Sequence, residues 1–148
     1  MFTTPCNAIT APYLEPFAIN SLPSCWMQGG ANAWEYGSNV SVPTGFADYG
    51  ADNAPDHSVG GGGTFIGMDG SDNTNGDVST LMTPMIDITP LAAPELSYWV
   101  FSNNTNDAAI NDLMVEAWDC SSWVTIDSIH ANTGGWTEFG YSLTGHTF

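Results

Sequence analysis

The chain has 148 residues, of which 16 are Asp or Glu and none is Lys or Arg, so its formal net charge is −16. An average domain of this size carries about 18 basic residues. Their absence removes counterion release on phosphate as a binding force and removes any Lys or Arg clamp, which excludes nucleic acid, anionic membrane and clamp-dependent phosphoryl transfer.

With 43% hydrophobic and 12% aromatic residues, the chain is expected to fold rather than stay disordered. Its length predicts one domain over residues 1–148. No apolar run approaches the roughly 18 residues that cross a bilayer. The N-terminus has neither the basic nor the apolar part of a signal peptide, so a removed signal or a larger parent protein is expected. The self-repulsion of the carboxylates needs salt, dispersal or bound cations to relieve it.

Short runs rich in Val, Ile, Thr and aromatics, bounded by Gly, Pro, Asn and Asp, predict strands throughout. In chain order they are Tyr13–Ile19, Ala33–Tyr36, Asn39–Val42, Thr64–Met68, Val78–Ile88, Glu95–Ser102, Ile110–Trp118, Trp123–Ile129 and Trp136–Leu143. No window sustains a helical period, so the class is all-β, with a sandwich the consistent architecture. Leu96–Phe101 is almost wholly apolar and predicts a strand covered on both faces. In Ile110–Trp118, Glu116 interrupts one face, which points that face at solvent or at a ligand.

The three cysteines cannot all pair within one chain. Cys6 with Cys25 is the most natural bridge in an oxidising compartment, leaving Cys120 as a small buried thiol. Two loops collect oxygen ligands. Pro43–Gly63 is long and rich in Gly and Asp, and loops of that length are usually functional or mobile. It carries Asp48, Asp52, Asp56 and His57, with Glu15 and Glu35 upstream; these carboxylates are either solvated or held by calcium, which favours oxygen over His57. Asp69–Asp77 places Asp69, Ser71, Asn73, Asn75 and Asp77 at alternate positions. It lacks the glutamate that ends an EF-hand, and an ordinary hairpin loop is its favoured reading over calcium.

Six tryptophans are many for this length. At least four are expected in the core. Trp34, Trp118 and Trp123 sit beside polar turns and are the candidates for a sugar-binding platform. Catalytic signatures are missing: there is no GxSxG elbow, no HExxH and no ExDxxE run. His57, His130 and His146 are far apart in the chain. The chain therefore reads as a non-enzyme, with a paired-carboxylate glycoside hydrolase as the remote rival. Asn39 and Asn103 begin N-glycosylation sequons, and Asp127-Ser-Ile resembles a short bacterial O-glycosylation motif.

Taken together, several segments resemble a family. Ala11-Pro-Tyr-Leu-Glu-Pro-Phe and Leu22-Pro-Ser-Cys-Trp are similar to the opening of the MAM-like, choice-of-anchor-type adhesion domains of secreted Bacteroidetes surface proteins. Trp34, Asp56-His-Ser, Val78-Ser-Thr-Leu-Met-Thr-Pro-Met-Ile-Asp-Ile, Leu96-Ser-Tyr-Trp-Val-Phe, Leu113-Met-Val-Glu and Trp136 follow in the family order. The resemblance implies a jelly-roll sandwich of two antiparallel sheets and an extracellular, non-catalytic adhesion or assembly role in a surface or filament protein. It also implies a structural cation near Asp56, with Glu15 as a further ligand. The family's last acidic strand and two strands beyond Leu143 have no counterpart here. Three expectations compete: the sheet closes differently, the chain is a piece of a longer protein, or an open edge is completed by a neighbouring copy or domain, with glycans or surface proteins as further partners. A carbohydrate-binding module of a secreted hydrolase is the alternative.

Overall fold

The computed structural model describes residues 6–38, 56–57, 63–68, 74, 76–102 and 112–146. Those residues are all-β, with no helix among them. They belong to two compact units, Met1–Leu91 and Ala92–Phe148.

The first unit holds six strands: β1 (Ile9–Thr10), β2 (Met27–Gly30), β3 (Glu35–Ser38), β4 (Thr64–Gly67), β5 (Ser79–Met82) and β6 (Ile86–Asp87). β2 pairs antiparallel with β5, from Met27 opposite Met82 to Gly30 opposite Ser79. β3 pairs antiparallel with β4. β1 pairs parallel with β6, Ile9 opposite Ile86. The run predicted as one strand over Val78–Ile88 is broken into β5 and β6 at Thr83–Met85. Pro84 lies in the break and is fully buried. It has no N–H for a ladder, so the chain leaves one partner there and takes up another.

The strand predicted over Tyr13–Ile19 does not form. Pro12 and Pro16 lack ladder donors. The Phe17 N–H is taken by Glu15 Oε1 at 2.9 Å, and Phe17 itself sits at φ 48°. A side chain has replaced a neighbouring strand as the hydrogen-bond partner. Nothing in the composition marked β2, Met-Gln-Gly-Gly, as a strand. Its last residue, Gly30, has φ 103°, and a β-carbon there would strike the backbone of Val78 and Ser79. The predicted Asn39–Val42 strand lies outside the described residues.

The second unit holds β7 (Glu95–Val100), β8 (Leu113–Trp118), β9 (Trp123–Ile129) and β10 (Thr137–Ser142). β7 pairs antiparallel with β10, Val100 opposite Thr137. β8 and β9 form a hairpin from Leu113 opposite Ile129 to Trp118 opposite Trp123. Its turn is built on Asp119, whose Oδ1 accepts from Ser121 N at 2.8 Å and Ser122 N at 2.7 Å. These bonds, from the Ser122 backbone first and then from Ser121, hold the Asp119 carboxyl below its ordinary pKa. Cys120 is at the tip with φ 72°, and its thiol is exposed, not buried as expected. A four-residue turn leaves its tip nothing to pack against.

Other core expectations are corrected in the same way. β7 alternates between half-buried and exposed positions, and Trp99 is 41% exposed, so one face of this apolar strand is open. Ser97 and Trp99 occupy that face, and neither a hydroxyl nor a large indole demands full cover. None of the six tryptophans is fully buried: Trp26, Trp34, Trp118 and Trp136 are half-buried, and Trp99 and Trp123 are exposed. Buried side chains are few among the described residues; Pro84 is fully covered, and Ala11 and Ile129 are nearly so.

One polar contact ties β7 to β9. The Tyr98 hydroxyl donates to Asp127 Oδ2 at 2.6 Å, while Asp127 Oδ1 accepts from Ser128 N at 2.8 Å. The Tyr98 ring stacks on Phe139 with centroids 5.9 Å apart. Burial first, and then the Asp127 carboxylate, push the Tyr98 pKa well above its ordinary value. The raised pKa means that this contribution is whole below the unfolded tyrosine pKa of about 10 and is lost as pH rises beyond it. Tyr98→Phe should lower stability by about 1–2 kcal/mol at neutral pH. Its urea midpoint should then fall less than that of the parent between pH 9 and 11. Parallel pH dependences in the two proteins would refute the assignment.

Candidate functional site

Register and pleat define an outward face of the β8–β9 hairpin. On β8 the exposed residues are Met114 and Glu116, followed by half-buried Trp118; Leu113, Val115 and Ala117 turn to the other side. Their cross-strand partners on the outward face are Ser128, Thr125 and Trp123. Trp123 and Ser128 are five apart in sequence, so a regular strand would send them to opposite faces. The register shift between Val115 and Glu116 leaves Ile126 as an extra residue on β9. That bulge restores both side chains to one face.

At the turn end of this face the indoles of Trp118 and Trp123 meet edge to face, with centroids 5.5 Å apart and planes at 64°. Trp123 keeps 41% of its surface exposed. Glu116 and Thr125 lie next along the face. Four residues of β8, about 13 Å, separate the Trp118 level from the Met114 level.

At the other end stand three polar side chains. Ser128 Oγ lies 2.9 Å from His130 Nε2, and His130 Nδ1 lies 2.9 Å from Asp112 Oδ1. Ser128 and His130, but not Asp112, are among the residues that line an open hollow of 330 Å³, with Ile129, Asn132, Thr133, Thr137 and Phe139. The wide spacing of His57, His130 and His146 along the chain hides this group. Its signal was Ser-x-His on an alternating strand, which puts both side chains on one face. Asp112 could be found only from the hairpin register, which sets it opposite His130.

The other candidate residues fare differently. Glu15 Oε2 accepts from Tyr13 OH at 3.0 Å, and Tyr13 OH accepts from Trp26 Nε1 at 2.9 Å. Trp26 also meets Phe17 edge to face at 5.3 Å. Burial, ahead of the Glu15 carboxylate, raises the Tyr13 pKa. Glu15 is thus an internal acceptor that organises residues 13–17. Asp56 is buried against Gly63, where an added β-carbon would collide with Asp56 Oδ2. Asp77 lies in an exposed turn and accepts from Thr74 N at 2.9 Å. Asp48, Asp52 and Asp69 lie outside the described residues. Among the described residues no three of His, Cys, Asp and Glu come together as metal ligands.

Trp34 is half-buried, and its Nε1 is enclosed without an acceptor, as Glu35 Oε2 is without a donor. It is less exposed than Trp123. Cys6 and Cys25 are joined by a disulfide with Cα atoms 5.6 Å apart.

No known protein family, no curated protein and no solved structure matches this chain.

Proposed function

We propose that the chain is an extracellular adhesion module of jelly-roll type that grips saccharide chains with the outward face of β8 and β9. The observation that carries this reading is the Trp118–Trp123 pair, with Trp123 exposed and in line with Glu116 and Thr125. An indole offers an apolar platform to the C–H face of a sugar ring, and a carboxylate and a hydroxyl beside it accept from ring hydroxyls. The absence of Lys and Arg favours a neutral glycan over an acidic one. The Cys6–Cys25 disulfide supports an oxidising, extracellular setting. The order of the MAM-like segments supports the adhesion class.

Affinity electrophoresis through gels containing neutral polysaccharides tests this. The parent chain should be retarded by at least one of them. Trp123→Ala should weaken retention about tenfold or more, in line with the loss of a central aromatic anchor. Trp99→Ala, which removes an equally exposed indole from β7, should leave it unchanged. No retardation of the parent, or equal loss in both variants, would overturn the reading.

A further inference from the structure

We propose that Ser128 is a nucleophile for acyl transfer, activated by His130 and Asp112, and that its substrates are carboxylic esters entering the cavity beside it. This goes beyond the saccharide reading and does not rest on it, since the tryptophan pair occupies the far end of the face.

Three observations combine. Both distances in the series, Ser128 Oγ to His130 Nε2 and His130 Nδ1 to Asp112 Oδ1, are 2.9 Å. One tautomer satisfies both: Nδ1–H donates to the Asp112 carboxylate, which leaves Nε2 as the acceptor for the Ser128 hydroxyl. That is the sense in which a serine is made nucleophilic, with the carboxylate holding the ring in the required tautomer. The backbone enforces the order. Ser128 and His130 are alternate residues running off β9, and extending the Leu113–Ile129 register by one step sets Asp112 opposite His130. Finally, Ser128 and His130 are among the residues lining an open hollow of 330 Å³. Phe139 gives it an apolar wall for an acyl chain, and Asn132 carries the one side-chain amide among its lining residues, a donor class suited to a developing oxyanion.

The reaction is a two-stage hydrolysis. Ser128 Oγ attacks the ester carbonyl carbon, and its proton passes to His130 Nε2. The carbonyl–alkoxy bond breaks, and His130 returns that proton to the departing alcohol. Water then attacks the acyl-serine with His130 taking its proton. The acyl–Oγ bond breaks to release the carboxylic acid, and the proton goes back to Ser128 Oγ. The side chains of His130 and Asp112 are 57% and 45% exposed. Water therefore weakens the electrostatic part of the catalysis, and slow turnover with clear acylation is expected.

The test is covalent labelling of the whole chain with a fluorophosphonate probe. The labelled residue is read by mass spectrometry after cleavage at glutamates, because trypsin has no sites. The expected result is one label per chain, on Ser128, absent in Ser128→Ala. His130→Gln should slow labelling at least about 100-fold and Asp112→Asn at least about tenfold, as for a serine that depends on its base and on the group orienting that base. All three side chains lie at the surface of the hairpin, and unchanged circular dichroism will verify that the variants fold. Equal labelling of Ser128→Ala, or an unchanged rate at Ser128 in His130→Gln, would overturn the proposal.

Discussion

Gly30→Ala should destabilise the Met1–Leu91 unit by about 3 kcal/mol. Gly30 ends β2 at φ 103°, a conformation that a residue with a β-carbon adopts only at a penalty. The added carbon would also lie 2.7 Å from Ser79 Cα and closer still to Val78 O. Neither is a side chain that can swing away. Val78 O already accepts from Ala31 N at 2.9 Å, and Ser79 Oγ accepts from Asn32 N at 2.9 Å, so recoil of β5 would break the bonds that follow β2. Gly76 provides the control. It has φ 96°, but nothing lies within 4 Å of an added β-carbon. Gly76→Ala should therefore show the backbone term alone, about 1 kcal/mol. Urea unfolding of the two variants separates strain from collision, and equal effects would show that β2 and β5 are not in this close register.

Loss of the Cys6–Cys25 bridge should be comparably large. The bridged residues are 19 apart. Closing a loop of that size restricts the unfolded chain by about 3 kcal/mol. In a unit of this size that corresponds to a fall in Tm of about 10–20 °C. Cys6→Ser with Cys25→Ser, or a reducing agent, should produce it. Cys120→Ser should not, because that thiol stands exposed at a turn tip. Melting curves with and without reductant, alongside a thiol count, decide the matter. An unchanged Tm in protein shown to be reduced would mean that the unfolded chain is already compact around this loop.

The strongest strands were legible because their pattern is local. Trp123–Ile129 has the predicted bounds, and Thr64–Gly67, Glu95–Val100 and Thr137–Ser142 lie within one or two residues of theirs. The failures have particular causes. Val78–Ile88 reads as one run because composition does not register what a single Pro84 does to a ladder. Tyr13–Ile19 reads as a strand because its aromatics suggest one, whereas Glu15 satisfies the backbone from within. β2 is absent from the predicted strands because Gly29 and Gly30 bring it no strand-forming side chains, though Gly30 is there for close approach. Of the site, Trp118 and Trp123 were found from their position beside a polar turn. Ser128, His130 and Asp112 were not, because their meeting depends on cross-strand register. The placing of Ser128 and Trp123 on one face depends further on one extra residue, Ile126, which no alternation rule anticipates.

The bridge also decides how the chain would meet tension. A pull from the N-terminal side passes from Cys6 through the sulfurs to Cys25 and on into β2, which is paired with β5. The residues between the cysteines hold β1 and the Tyr13–Glu15 hydrogen bond, and they lie off that line. Stretching therefore leaves them slack and folded while the β2–β5 pair resists. Once the bridge is reduced, the same segment joins the stretched path and can pay out about 65 Å of chain. The redox state of the surroundings would thus set how far the chain lengthens under load before it tightens.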